Sequence, residues 1–497
     1  MSLKNLLYTT AISCFLLFLL TSCTDSTGTE KGTLRGYVVL AEEDVIDHSE
    51  ITVALYNKVA LDTTIVRLNQ EYPHIGVHIS QETEFDHRQY SPVLSTISDA
   101  NGFFEIKNIP AGLYNVVFSR KEWGFLYRYD INITGSTYDI SDETDPLQLY
   151  PEVIVDSHIF DEFVCEPHRH YIFPDETVFH PSSHLIIQPE SFLRINPAIS
   201  ISIYGTLTVE SEPGQYFRVT SNDGFFEDRQ EISNYAHLSI KAETTLINSM
   251  ISSGIFTFGN YTLVVNVSGA IVTNSILSGD YSGCSFNQCA NVVLRKSNFY
   301  NTLVDSQAAL YLDYVDNSLF ESLIFLNNDI GISNKSGLNN KILNSYFSGN
   351  RSIGILNWYD SDLSVLHSVF SEGNVGIDNR ARSYIDFKYS FFNTEVGFVN
   401  NRAGFQWAFP TLNYNNFYCS NYAVRTIANF SIGDGIRYFV ATYNYWGTTE
   451  RDEIEALIWD RNDESENHPD YDYRLGVYVY EPFSLQKHHN AGIQQLD

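Results

Sequence analysis

The sequence predicts an all-β chain. A small N-terminal β-sandwich leads into a parallel β-helix of about 10 turns, closed by a short capping helix and strand. Three observations carry this. The first is a motif that recurs about every 23 residues: a Ser followed two places on by a large apolar residue. Residues 344–357, NSYFSGNRSIGILN, are nearly repeated in HSVFSEGNVGIDN (367–379) and YSFFNTEVGFVN (389–400). The second is a run of brief β-prone segments broken by Asn, Gly, Ser and Asp, with no 3.6-residue apolar spacing. The third is composition: 33 Tyr and 33 Phe against 2 Met favour strands over helices. At 497 residues and 43% hydrophobic, the chain has ample material for a core.

The first element is an address. Lys4 precedes a ten-residue apolar run, AISCFLLFLL (11–20), too short to span a bilayer as a stable helix. LTSC (20–23) follows and resembles the lipobox of bacterial lipoproteins, a Leu and two small residues before the Cys that is lipidated. The resemblance implies a signal peptide over 1–22, acyl chains on Cys23, and attachment to a bacterial membrane outside the cytoplasm, with the outer membrane and cell surface the expected address. Several acyl chains hold far more firmly than one. A plain secretory signal is the alternative. TDSTGTEKG (24–32) is small and polar and reads as a flexible tether.

Strands begin near residue 33 in the segments TLRGYVVL and ITVALYN. ISDANGFFEIKNIPAGLYNVVFS (97–119) is a hairpin. DANG is an Asx–Gly turn, and in IPAG Pro110 sets φ while Gly112 is free to go positive. Asp99, Gly102, Phe104, Ile106, Asn108, Ile109, Pro110, Gly112, Tyr114 and Val116 resemble the hallmark run of the carboxypeptidase regulatory-like family. That resemblance covers 33–148 and implies a non-catalytic, transthyretin-like antiparallel sandwich used as a spacer or adhesion module. An insertion over about 60–94 departs from the pattern and reads as a polar loop or added hairpin. Its His74, His78, Asp86 and His87 make a metal site only on paper, because IGVHIS reads as a strand and separates them.

The array spans 150–486. Its Ser anchors are 249, 275, 297, 322, 345, 368 and 390, with Ile251, Leu277, Phe299, Ile324, Phe347, Phe370 and Phe392 two places on. Asn415 with Phe417 and Asn444 with Trp446 continue the series. A second ladder runs through GISN (331–334), GILN (354–357), GIDN (376–379) and GFVN (397–400), with GCSF at Gly283 and AVRT at Ala423 as weaker members. Stacked turns about 4.8 Å apart place equivalent residues in columns. The entry segment HLIIQPESFLRINPAISISIYGTLTVE and the closing YNYWGTTERDEIEALIWDRND with LGVYVYEPF resemble right-handed β-helices of the pectin-lyase-like superfamily. Ile454, Leu457 and Ile458, at helical spacing, are the expected lid over the last turn. Residues 487–497 are a tail. The superfamily includes lyases, hydrolases, epimerases and non-enzymes, so the resemblance implies a fold and leaves activity open.

With 60 acidic against 30 basic residues and a net charge of −30, the chain would repel nucleic acid, and anionic polysaccharides too unless a cation bridged them. Cys165, Cys284, Cys289 and Cys419 lack zinc spacing; a disulfide such as Cys284–Cys289 and buried free thiols both stay open. No cofactor is expected. Calcium is the one alternative, on DRNDE (460–464) with Asp470 and Asp472, although the Gly and terminal Glu of an EF-hand are missing.

Candidate glycan contacts lie where the repeat stops repeating. Trp358, Tyr359 and Trp407 are rings for stacking on sugars, and Asp313, Asp360, Asp362, Asp378, Arg380 and Arg402 are polar groups that the fold could gather. The expectation is a membrane-anchored surface lipoprotein acting as a non-catalytic binding or adhesion scaffold toward glycan or a surface protein. The alternative is a polysaccharide lyase or glycoside hydrolase on the helix flank, which needs carboxylates paired across a bond.

Overall fold

The computed structural model describes residues 30–497 except 197–198, 213, 223–236, 242–244, 248–249, 253, 258–260, 279–281, 301, 303, 403–407, 429–436, 464–475 and 496–497. The leader, Cys23 and Trp407 therefore lie outside the described residues. The chain divides into two units: Met1–Lys58, Ser91–Arg120 and Phe125–Leu149 in one, Val59–Tyr90, Lys121–Gly124 and Tyr150–Asp497 in the other. As expected, the protein is nearly all β, with a solenoid of about 10 turns over 158–427.

The first unit is two four-stranded sheets. Lys31–Leu40 pairs antiparallel with Phe103–Pro110 and parallel with Thr137–Asp139 and Leu147–Leu149, so this sheet is mixed rather than antiparallel throughout. The other sheet, Leu94–Ile97, Thr52–Asn57, Gly112–Ser119 and Phe125–Ile133, is antiparallel. Inward residues alternate along the strands, as period-2 patterning requires. Leu34, Val38, Phe104 and Ile106 from one sheet and Val53, Leu55, Val116 and Phe118 from the other are buried. The Phe104 and Phe118 rings meet edge-on at 5.4 Å. Asp99 Oδ1 accepts from the N–H groups of Asn101 and Phe103 and so holds the predicted turn. Gly102 sits at φ +82°, where a Cβ would lie 2.3 Å from the Val38 carbonyl.

The second unit is a parallel β-helix of three stacks. One is a 13-stranded sheet running from His158–Ile159 to Ile458–Trp459. Another has 12 strands, from Val153–Ile154 to Asn416–Phe417. The third is split into a four-stranded and a ten-stranded sheet. Inside, Phe299, Phe325, Phe347, Phe370, Phe392, Phe417 and Trp446 form one column with ring centroids 4.7–5.1 Å apart. Each such burial contributes roughly 1.5–3 kcal/mol.

The corner before this column explains the Ser repeat. Residues 274, 296, 322, 344, 367, 389, 414 and 443 all have φ between 45° and 61°. The N–H of the next residue then points along the axis. Ser345 Nα donates to Ser368 Oγ at 3.3 Å, Ser368 Nα to Ser390 Oγ at 3.3 Å, and Ser390 Nα to Asn415 Oδ1 at 2.9 Å. Each anchor thus satisfies a buried backbone donor of the turn before it.

Two anchors differ from the expectation. Leu323 holds the slot assigned to Ser322, its N–H donating to Ser345 Oγ, and Ser322 is the left-handed residue ahead of it. Phe325, not Ile324, therefore joins the column. A one-residue slip exchanges inside for outside, and SLIF (322–325) fits either register by type alone. Ser249 lies outside the described residues; Ile251 belongs to the third stack opposite Val272, and Phe256 holds the column position. The Asn ladder stands as expected, with Asn334 donating to Asn357 and Asn357 to Asn379 at 2.8 Å each.

The insertion is neither a polar loop nor a hairpin. Helix Thr63–Glu71 is capped by Asp62, whose Oδ1 accepts from the N–H groups of Thr64 and Ile65. A second helix, Gln81–Glu84, and a 3₁₀ turn, His87–Gln89, follow. Residues 75–80 form no strand. Ile65, Leu68, Ile75 and Val77 pack on Ile255, Ile276, Tyr300 and Ile324 of the 12-stranded sheet. At the far end, Ile454 and Ile458 are buried and Leu457 packs against the core, with helix Arg451–Ala456 supplying part of the expected lid.

Candidate functional site

The 13-stranded sheet turns one row of side chains inward and the next outward. In each GIxN quartet the Ile and Asn face the core, so the residue between them and the residue after the Asn face out. Register then builds two outer rows. One is Tyr311, Ser333, Leu356 and Asp378; the other is Asp313, Lys335, Trp358 and Arg380. A third row, Ala308, Ile330, Ile353 and Val375, forms an apolar strip beside them. Between these rows lies a cavity of about 400 Å³, with an apolar floor of Ala308, Ile330, Ile353 and Leu356 and a rim that includes Trp358 and Arg380. Its size is that of a small-ligand cleft.

One wall is a loop held by a buried carboxylate. Asp329 accepts from Ser306 Nα at 2.6 Å, Ser352 Oγ at 2.6 Å and Arg351 Nε at 3.0 Å. On the opposite wall, Trp358 Nε1 donates to Ser333 Oγ at 3.1 Å, which fixes the indole. Lys335 lies 6.0 Å from the centre of that ring and 3.2 Å from Asp313 Oδ1. Burial pulls the Lys335 ammonium down, but hydrogen bonds with Asp313 and Tyr311 outweigh it and leave it above its usual value.

Asp378 is 5% exposed. Its Oδ2 accepts from Arg380 at 2.5 and 2.9 Å, while Oδ1 is buried with no hydrogen-bond partner among the described residues. Burial pushes this carboxyl above the usual range, and the guanidinium opposes the shift only in part.

Of the predicted residues, the fold brings Trp358 and Arg380 into the cavity lining, with Asp378 and Asp313 on the same outer rows. Tyr359 is exposed and packs on Trp358 at 4.5 Å. Asp360 turns to the corner and pairs with Arg382. Asp362 opens the strand Asp362–Leu366 of the third stack and does not reach the groove face. Asp313 and Asp378 stand three rungs apart, about 14 Å along the axis. Carboxylates that cleave glycosidic bonds stand about 5–9.5 Å apart. Sequence reading missed Tyr311, Ser333, Lys335, Leu356 and the loop at Ser306 and Gln307, although the alternation inside GIxN pointed to three of the positions, Ser333, Lys335 and Leu356.

The four described cysteines are free. Cys284 and Cys289 lie five residues apart on one strand, Ser282–Ala290, so they form no pair. Burial holds the Cys289 thiol up at about 12 and that of Cys419 at about 11. In the proposed calcium loop, Asp460 accepts from the N–H groups of Asn462 and Tyr478, while Glu464, Asp470 and Asp472 lie outside the described residues. Among the described residues, no three His, Cys, Asp or Glu side chains group as metal ligands, and no helix is long and apolar enough to cross a membrane.

Fold and groove together define a β-solenoid protein with a ligand-sized groove on its 13-stranded flank. No family profile matches the chain, and no curated protein does. Among solved structures, an alginate lyase from Paenibacillus sp. str. FPU-7 is 15% identical over 54% of this chain and 89% of its own, with a TM-score of 0.28. Two type II cohesin–X-dockerin interface mutants from Acetivibrio cellulolyticus are 17% and 16% identical, with TM-scores of 0.16 and 0.17. They cover 24% and 26% of this chain, which spans 58% and 67% of theirs. Likenesses at these scores carry no weight for what the chain does.

Proposed function

We propose that the protein is a lipid-anchored surface protein, held to a bacterial outer membrane through Cys23, whose β-helix binds glycan without cleaving it. The observation that carries this is the groove around Trp358: an apolar floor, an immobilised indole and hydroxyl-bearing walls. Sugars are recognised by that combination of an apolar face and directed polar groups. Neither calcium nor another cofactor is required for it.

The enzyme reading keeps one observation in its favour, the raised carboxyl of Asp378. Both are tested together. The purified chain from residue 24 onward is screened on glycan arrays, and the bound class is then assayed for new reducing ends and unsaturated uronates. Binding that falls at least about tenfold in Trp358→Ala, with no product released, is the expected result. Product formation lost in Asp378→Asn would replace the binding reading with the enzymatic one. Absence of binding to every class would end both.

A further inference from the structure

Among the described residues, three cations at the groove each have a carboxylate. Lys335 is 3.2 Å from Asp313, Arg380 is 2.5 Å from Asp378, and Arg351 is 3.0 Å from Asp329. Each pair is assembled within one turn or across neighbouring turns, so the neutralisation belongs to the groove itself rather than to the −30 charge of the chain. Arg380 makes two bonds to the same carboxylate oxygen, Asp378 Oδ2. Arg425, on the row of Asp378 two rungs further on and like Asp378 outside the cavity lining, packs over Tyr422 at 5.9 Å, with its Nε buried and without a hydrogen-bond partner among the described residues.

Asp378, on the outer row one rung beyond Leu356 of the floor, keeps a buried acceptor. Asp378 Oδ1 has no hydrogen-bond partner among the described residues. A buried acceptor without a donor costs about 1–3 kcal/mol, which a hydroxyl donor from a ligand would recover. A carboxylate or sulfate brings no such donor and adds like charge. The remaining polar rim, Ser306, Gln307, Tyr311, Ser333 and Ser352, consists of uncharged groups that donate and accept. The floor of Ala308, Ile330, Ile353 and Leu356 suits the C–H face of a pyranose.

We infer that the groove selects an uncharged, hydroxyl-rich saccharide of one or two rings and rejects uronates and sulfated sugars, with Asp378 as a specificity-determining acceptor. This rests on the glycan-binding reading above.

The test is calorimetry on the purified chain with two panels of short oligosaccharides. One panel holds cello-, xylo-, manno- and laminari-oligomers; the other holds oligogalacturonate and oligoalginate. A neutral oligomer is expected to bind, with its Kd changed less than about twofold when salt is raised to about 1 M, where the Debye length is about 3 Å. Asp378→Asn keeps the shape and turns a pure acceptor into a mixed group, and neutral binding is expected to fall about tenfold, a 1.4 kcal/mol effect. The same change frees Arg380, so oligouronate binding is expected to appear in that variant.

Wild-type binding to an oligouronate that is tighter than to any neutral oligomer, salt-sensitive and lost in Arg380→Ala, overturns the selectivity and leaves the glycan site in place. Binding to neither panel, or binding indifferent to Trp358→Ala, overturns the glycan site itself. The wild-type salt series needs no variant, so the inference stays open to refutation even if Asp378→Asn folds poorly.

Discussion

Two flanks of one solenoid have opposite fates. The 12-stranded flank carries the outer row Asn298, Ile324, Tyr346, Val369, Phe391 and Asn416, and the chain covers it with its own peptide. At one end Asn298 accepts the Val77 N–H at 2.8 Å and donates to the Val77 carbonyl at 3.0 Å. Five rungs away, Asn416 holds His488 of the tail by the same two bonds, at 2.8 and 2.9 Å. The tail then runs back over His367, Tyr389, Tyr414 and Tyr443, whose rings stack at 5.2–5.4 Å, and reaches Asn344 through Gln494. There the Gln494 backbone lies beside His74 of the insertion, so the two covers meet. The 13-stranded flank has no such cover among the described residues and keeps the groove. An apolar outer row on a sheet is a liability unless something packs on it. One flank has solved this with its own chain, and the other row is short, walled and polar-rimmed.

The largest expected effect tests what both flanks share. Phe347→Ala removes a ring from the interior column and should destabilise by about 3–5 kcal/mol, seen as a lowered denaturant midpoint. A smaller loss would mean that the column relaxes around the gap.

Asn298→Ala acts on the covered flank alone. It orphans both polar groups of Val77, at about 1–3 kcal/mol for each group left buried. Amide exchange across 63–84 should speed up while the groove strands stay protected. Equal protection at both flanks would show that the clamp contributes little.

Acid should separate the flanks further, through two groups with opposite signs. Burial lowers His87 to about 4. Stability from a depressed histidine is full above its unfolded value near 6.5 and is lost as pH falls toward about 4. Burial raises Glu84, which accepts from Tyr300 at 2.8 Å. Stability from a raised carboxyl is full below its unfolded value and is lost as pH rises through the folded one. Glu84→Gln removes the term that grows in acid, so protease sensitivity of 63–84 should rise more steeply on acidification than in the wild type. A shallower rise would reverse the assignment.

The smallest effect belongs to the open side. Asp360→Ala breaks the exposed pair with Arg382 and should change stability by about 0–1 kcal/mol, within reach only of a careful melting comparison.

The interior was legible because identical residues stack on identical residues: Phe347, Phe370 and Phe392, or Asn357, Asn379 and Asn400, announce themselves by repeating. The slip at Ser322 came where the spacing stretched and two registers fitted the same letters. The groove was half legible. Trp358 and Arg380 stood out by breaking the repeat, but Ser333, Leu356 and Lys335 look ordinary until alternation is counted outward from the ladder. The insertion was not legible at all, since the partner of Val77 is 221 residues away.

By itself the sequence determined the solenoid, its period and its columns, because stacking imposes one local rule on every turn and a local rule leaves a periodic trace. Only the tertiary structure decided which flank is covered and which stays open. That choice rests on Gly76, at φ +62° with room for no Cβ beside Asn298 Oδ1, and on single contacts such as Asn416 with His488. Contacts made once, between segments far apart in the chain, have no period to betray them.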